Sequence, residues 1–378
     1  MPIEELSAEW ILFFIIYGTT GAMPLFAAVY LLLRRGNAFA ADVTPPMRLR
    51  RWAAAFFIVA ALGHVWWYLF FIFSHNIHSA SYVVTGLVDC VGLLTTIAGT
   101  LLAMLQDRKR PVWPVVAALI PYVGIGVLYI VHPVDYYLYI AIAYIMVLYA
   151  LFSIYMVFAV RRYGRWLRDN YADLERKEVW LSQAVSLVCL LLFILYTLVD
   201  TDATMFFALH FVELVLFSLL LWRVETLPTL EETLPLSVPV EEECDDTQEE
   251  KQEGMSLDYI EQLLEEHCAD TLLYLQHDLT LHQLAQAIGT NRSYLSLYFS
   301  RQGTTYNAYI SDLRVNHFMI LYRNTIEAHQ SITAQQLASD CGYNSYSTFS
   351  LAFKQRTGLS VMAWMRQTTE DYSQNLQK

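Results

Sequence analysis

Charge is scarce in this sequence. Asp, Glu, Lys and Arg make up 16% of its 378 residues, against 56% hydrophobic, where an ordinary soluble chain carries about a quarter charged residues. The scarcity is uneven, because almost all of the apolar excess lies before Arg223, which is the pattern of a membrane half followed by a water-soluble half. Cysteine is sparse as well. Cys90, Cys189, Cys244, Cys268 and Cys341 form no CxxC and no zinc-ligand spacing, so neither a disulfide framework nor a cysteine metal site is expected, and a reducing compartment fits the last three. The N-terminus lacks the basic region of a cleavable signal peptide, with Glu4, Glu5 and Glu9 in its place, so the first apolar run reads as a span. No HExxH, GxSxG or similar nucleophile arrangement is present, and no inverted repeat marks a transporter. An enzyme is therefore not expected, nor is a cofactor.

What is present is seven apolar runs of spanning length. They are Trp10–Leu33, Trp52–Phe73, Tyr82–Leu105, Val112–Val131, Tyr136–Val160, Val179–Val199 and Ala203–Trp222, each close to the roughly 20 residues that cross a bilayer as a helix. The loops between them alternate in charge. Those at 34–51, 106–111 and 161–178 carry five, three and six Lys or Arg, while those at 1–9, 74–81, 132–135 and 200–202 carry none. Basic loops stay on the cytoplasmic side, so the N-terminus is expected outside and the chain after Arg223 inside. Trp10, Trp52, Trp66, Trp67, Trp113, Trp180 and Trp222 lie near span ends, where interfacial anchoring is expected of them.

Residues 224–255 hold eleven acidic residues, three prolines and the single Lys251. Too little apolar area remains for independent folding, so this stretch reads as a disordered linker reaching roughly 30 Å. Such a linker transmits torque poorly, which points to control through dimerisation or local concentration.

The tail contains a repeat. Leu284-Ala285 recurs as Leu337-Ala338, and each Ala precedes a glycine by four positions, Gly289 and Gly342. A small Ala allows close helix crossing, and glycine supplies the positive φ of a tight turn. A capping residue follows in each unit, Asn291 in the first and Asn344 or Ser345 in the second. Apolar positions Leu295, Tyr298 and Phe299, then Phe349 and Phe353, hold the second helix of each unit against the first. Tyr306, Ile310, Leu313 and Leu321 are helically spaced and predict a long helix joining the units. On that helix, Arg314 is expected to be an internal salt-bridge partner and not a base reader. Cys341 reads as a small core residue, and His267, His277, His282, His317 and His329 as surface residues.

Over about 256–367 the tail resembles the DNA-binding domain of the AraC family, through TNRSYLSLYFSRQGTTYNAYISDLR and CGYNSYSTFSLAFKQRTGLSVMAWMRQ. A membrane half joined to such a tail is similar to known bacterial regulators. The resemblance places groove-facing positions at Ser293, Ser296 and Leu297, then at Tyr346, Ser347, Ser350 and Leu351. It places phosphate contacts at Arg292, Arg301, Lys354 and Arg356. Leu297 and Leu351 stand where the family usually has Arg, and Leu359-Ser360-Val361 lacks the family's usual Pro. With 8 basic and 11 acidic residues over 256–378, affinity is expected to be modest and a homodimer to be needed.

Ionisable side chains within spans are unfavourable and mark function. His64, Asp89, His210 and Glu213 each fall on the order of 10–16 Å below the outer surface, and they define a candidate intramembrane pocket for a small molecule, a proton or an ion. The alternative is a set of interhelical hydrogen bonds that only holds the bundle together.

The sequence thus predicts an all-α protein: a seven-helix transmembrane bundle (1–223), an acidic linker (224–255) and a soluble domain with two helix-turn-helix units (256–378). Its expected partners are double-stranded DNA and the lipid bilayer of a bacterial inner membrane. The expected function is a membrane-tethered transcription regulator that couples a membrane or external signal to promoter occupancy. The competing reading is a receptor or transporter whose tail binds protein.

Overall fold

The computed structural model describes residues 8–34, 44–73, 80–174, 177, 179–184, 186–188, 191, 203–230, 257–328, 330 and 332–375. Among them there are helices and no strands, with one isolated bridge between Tyr171 and Thr280. The chain divides into two compact units, Met1–Tyr163 with Val179–Glu231, and Gly164–Glu178 with Glu232–Lys378.

The first unit is built from α1 (Ala8–Leu33), α2 (Met47–Phe73), α3 (Ala80–Ala103), α4 (Trp113–Val131), most of α5 (Asp135–Asn170) and α6 (Ala203–Thr226). Each of these six contains a segment long and apolar enough to cross a membrane. The remaining expected span, Val179–Val199, lies for the most part outside the described residues. Helices suit these sequences because every interior N–H and C=O is satisfied within the segment. Hydroxyls follow the same rule: Thr85, Thr96 and Thr100 donate to the carbonyls of Ser81, Gly92 and Thr96 one turn earlier.

α2 packs against α1, α3 and α6, and α4 against α3. Small residues bring the helices together, with Ala27, Ala28, Ala53, Ala54 and Ala60 buried, and the Trp52 ring lies over Gly99 so closely that a Cβ there would collide with it. The exterior is the reverse of a soluble protein's, with Phe26, Ile120 and Phe158 about two-thirds exposed or more at 71%, 67% and 65%. Such a surface is suited to hydrocarbon.

One end of this unit is knit together by polar groups. Arg48 donates to the carbonyl of Arg110, and Arg110 grips Asp107 through both terminal nitrogens at 2.6 and 2.9 Å. Gln106 donates to Pro228 O and accepts from Leu230 N, each at 3.0 Å, while Thr229 bonds Thr44 O. Two basic loops and the chain after α6 therefore meet at one end. Val224–Leu230, at the start of the expected free linker, is ordered: Val224, Leu227 and Leu230 are buried, and Glu225 accepts a 2.9 Å bond from Tyr30. The rest of the linker, 231–255, lies outside the described residues.

The second unit contains α7 (Leu257–Leu264), α8 (Leu281–Ala287), α9 (Arg292–Arg301), α10 (Tyr306–Glu327), α11 (Ala334–Asp340), α12 (Tyr346–Thr357) and α13 (Val361–Asn375). It has two apolar clusters. Leu284, Leu295, Phe299, Tyr306 and Ile310 belong to one, and Val315, Phe318, Leu337, Phe349 and Phe353 to the other. The predicted joining helix is α10, and it contributes its first half to one cluster and its second half to the other.

Candidate DNA-binding interface

Each helix-turn-helix is set by its turn and caps. In the first, Thr280 and Gln283 form a reciprocal capping box at the start of α8, Gly289 takes φ +71°, and the Asn291 side chain accepts from Tyr294 N at 2.7 Å to start α9. In the second, Thr333 caps α11, Gly342 takes φ +85°, and Ser345 caps α12 by accepting from Thr348 N. Of the two capping residues considered for α12, Ser345 is the one used. These bonds occupy orphan N–H groups of the first turn. Ala285 and Ala338 are 1% exposed at the two helix crossings, and Cys341 is fully buried as expected.

α9 and α12 are the second helices of the two units. Ser293, Leu297 and Arg301 on α9 are exposed and Ser296 is half-buried; on α12, Ser347, Leu351 and Lys354 are exposed, with Tyr346 and Ser350 half-buried. Tyr346 packs partly on Phe349, at 6.0 Å between ring centroids. Arg356 turns back to α10, where it pairs with Asp312 and donates to Asn316 Oδ1 at 3.3 Å. Arg292, half-buried at the start of α9, is also engaged, through Nε, with Oδ1 of Asn170 at 2.7 Å.

Among the described residues Arg314 makes no salt bridge, in contrast to the expectation. Fully buried, it donates from Nε to Tyr274 O at 2.6 Å and from Nη2 to Gln276 O at 2.7 Å, and its guanidinium lies over the Tyr343 ring at 5.4 Å. Backbone carbonyls of the turn before α8 take the place of the expected carboxylate. Burial lowers its pKa from the ordinary arginine value, against the raising influence of Tyr343, Tyr306, Asp173 and Asp278. Among the histidines expected at the surface, His317 instead hydrogen-bonds the Tyr274 hydroxyl at 3.1 Å, and His329 lies outside the described residues.

The feature least foreseen from sequence is the segment after the apolar part of α5. Residues 164–178 belong to the second unit. Ala172 N donates to Leu279 O at 3.1 Å, and Asn307 Nδ2 donates to Ala172 O at 2.6 Å. Lys177 Nζ pairs with Asp278 at 2.7 Å, and Asn344, just before α12, donates to Asp173 Oδ2 at 2.7 Å. With Asn170 on Arg292, the segment thus touches both helix-turn-helix units. At Asp278, burial raises the carboxyl pKa, but the Lys177 hydrogen bond and charge outweigh it, with help from Asn344 and His277, and the net shift is downward. Burial lowers the Arg292 pKa. The basic character of the loop was legible; its docking was not, since its partners lie 100 or more residues away.

In the first unit, three of the four ionisable residues come together. His64 on α2, and His210 and Glu213 on α6, offer ligand atoms all within 4.8 Å of one another, and His64 Nε2 stands 3.5 Å from Glu213 Oε2. Asp89 on α3 instead accepts from Trp67 Nε1 at 3.0 Å. Trp67, like Trp66, which donates to Thr85 at 2.8 Å, makes an interhelical bond where only an interfacial anchor was expected. Tyr17 on α1 sits beside the cluster, its ring 5.3 Å from His64 and 5.6 Å from His210.

Residues 284–367 match the helix-turn-helix domain family. No curated protein and no solved structure matches the chain. The match begins within α8 and ends within α13, and so takes in both units with their exposed second helices. The chain carries an AraC-type helix-turn-helix domain, a DNA-binding regulator domain, together with N-terminal helices long and apolar enough to span a membrane.

Proposed function

We propose that the chain is a membrane-tethered, sequence-specific transcription regulator whose spans pass a signal to promoter occupancy. It resides in a bacterial inner membrane, with the N-terminus outside and the helix-turn-helix domain in the cytoplasm, an orientation supported by the alternation of loops with and without Lys or Arg. The observation that supports coupling is the docked segment 164–178. It begins in the last turns of α5, and it engages Arg292 of the first unit and Asn344 of the second. The acidic linker is then the only covalent route to the DNA-binding domain but not the only physical connection, because this segment adds a hydrogen-bonded one. A change that releases this segment frees the Arg292 guanidinium for a phosphate and alters the support of both units at once. Pairing of two copies on adjacent half-sites raises the affinity of a near-neutral domain.

Chromatin immunoprecipitation of the tagged full-length protein in its native host tests the reading. Discrete peaks are expected. Their absence at good expression would transfer the case to a receptor or transporter whose tail binds protein, a reading favoured by the exposed Leu297 and Leu351 on α9 and α12.

A further inference from the structure

We infer that His64, His210 and Glu213 form a binding site for a divalent transition-metal ion of the zinc type, joining α2 to α6. The argument starts from the proton on His64. Its Nδ1 lies 2.9 Å from the carbonyl oxygen of Ala60, an atom that can only accept, so Nδ1 carries a hydrogen. In the neutral ring, Nε2 then presents a lone pair, and it faces Glu213 Oε2 at 3.5 Å. Two acceptors confront each other, and only a cation between them makes the pair favourable.

The distance decides which cation fits better. At 3.5 Å the pair is longer than an N–H···O bond of about 2.7–3.2 Å, and Glu213 Oε2 is buried without a hydrogen bond among the described residues. Two ligand atoms sharing a tetrahedral ion at about 2.0–2.1 Å stand about 3.4 Å apart. His210 supplies a third ligand atom within 4.8 Å of the others. A ligating histidine that donates its other ring N–H to a backbone carbonyl is the usual outer-shell arrangement at metal sites, and Ala60 provides it. Two imidazoles and one carboxylate suit zinc and its neighbours and leave a fourth position for water. Tyr17 closes one side of the cluster, its hydroxyl donating to His64 O at 2.7 Å.

The role of such an ion as the input signal rests on the proposed regulator. Its binding does not, and the test involves no DNA. Full-length protein, purified in detergent with its tag removed and stripped by a chelator, is titrated with Co²⁺ while visible absorption is followed, and the cobalt is then displaced with Zn²⁺. One equivalent of cobalt with tetrahedral d–d bands, displaced by zinc, is expected. Glu213→Gln and His210→Ala should each weaken binding by about tenfold or more, a loss seen even for outer-shell partners. His64→Cys, which keeps a ligand, should retain the ion and add a thiolate-to-cobalt charge-transfer band, guarding against variants that merely misfold. Absence of stoichiometric uptake by the unaltered protein, or uptake that Glu213→Gln and His210→Ala leave unchanged, would overturn the site in favour of a protonated His64–Glu213 pair.

Discussion

Arg292, at the first position of α9, donates through Nε to Oδ1 of Asn170 at 2.7 Å, and Asn170 is the last residue of α5. The guanidinium that the family resemblance assigns to a DNA phosphate is thus partly committed to the end of α5. Asn170→Ala should release it. The bond is charge-assisted but half-exposed, so its competition is worth about 1 kcal/mol, and full-length protein should bind its DNA roughly threefold to tenfold more tightly. Fluorescence anisotropy at fixed salt measures this, and an unchanged or weaker affinity would mean that Asn170 does not compete with DNA.

Docking of the same segment should depend on pH through Asp278. Its carboxyl pKa is held below the ordinary value by Lys177. A depressed carboxylate contributes stability at pH above its unfolded pKa of about 3.9, and that contribution is lost as pH falls through the folded pKa. Backbone amides of Ala172 and Lys177 should therefore stay protected in hydrogen exchange near neutrality and lose protection in acid. Lys177→Ala should reduce that protection at pH 7 already. Equal protection in both proteins at pH 7 would show that the ion pair adds nothing to docking.

The tail was legible where its physics is local. Asn291, Gly289 and Gly342 follow from turn and cap chemistry that operates over a few residues, and the spacing of Tyr306 and Ile310 was enough to predict α10. Arg314 was misjudged because its acceptors are main-chain carbonyls at Tyr274 and Gln276, which carry no signature in the sequence. The same holds for Asn170, Asp173 and Lys177, ordinary polar residues in a loop that was useful only for its charge. In the apolar helices, the high cost of ionisable groups in such surroundings picked out His64, Asp89, His210 and Glu213. It could not tell that Asp89 is matched to Trp67 while the others converge.

Gly342 and Gly289 should differ in their tolerance of alanine, although both have positive φ. At Gly289, φ +71°, a Cβ meets nothing within 4 Å, and Ala should cost about 1–2 kcal/mol from backbone strain alone. At Gly342, φ +85°, the Cβ would lie 2.5 Å from Leu275 O and 3.1 Å from Arg314 Nε. That collision adds to the strain and disturbs the carbonyls bonded by Arg314. Thermal unfolding of the two single variants should rank Gly342→Ala well below Gly289→Ala; equal midpoints would contradict the packing around Arg314.

Arg314→Met keeps much of the side-chain volume but removes both donors. Tyr274 O and Gln276 O are then left unsatisfied, each at about 1–3 kcal/mol, offset in part by relief from burying a charge. A net loss of about 2–4 kcal/mol is expected, with both helix-turn-helix units affected because α10 belongs to both clusters. Arg314→Lys should fall between the two proteins, since an ammonium cannot match the guanidinium's two bonds together with its stacking on Tyr343. Stability of Arg314→Met equal to the unaltered protein would show that water satisfies the carbonyls instead.

Leu351 is 60% exposed on α12, at a position where the family resemblance leads one to expect Arg. Leucine can touch a thymine methyl but cannot bond a guanine edge. Leu351→Arg adds a long cation beside Lys354 without disturbing Phe349 or Phe353, which face the other way into the core. It should raise affinity for guanine at one position of the second half of the site by about 1–3 kcal/mol, and it should steepen the salt dependence if it also meets a phosphate. Selection from a randomised DNA pool with each protein separates these effects. A new guanine preference at a single position means that α12 lies in the major groove with residue 351 at a base edge. A uniform gain across all sequences means that the side chain reaches only the backbone, and the groove-facing set on α12 would then shift to Ser347 and Ser350.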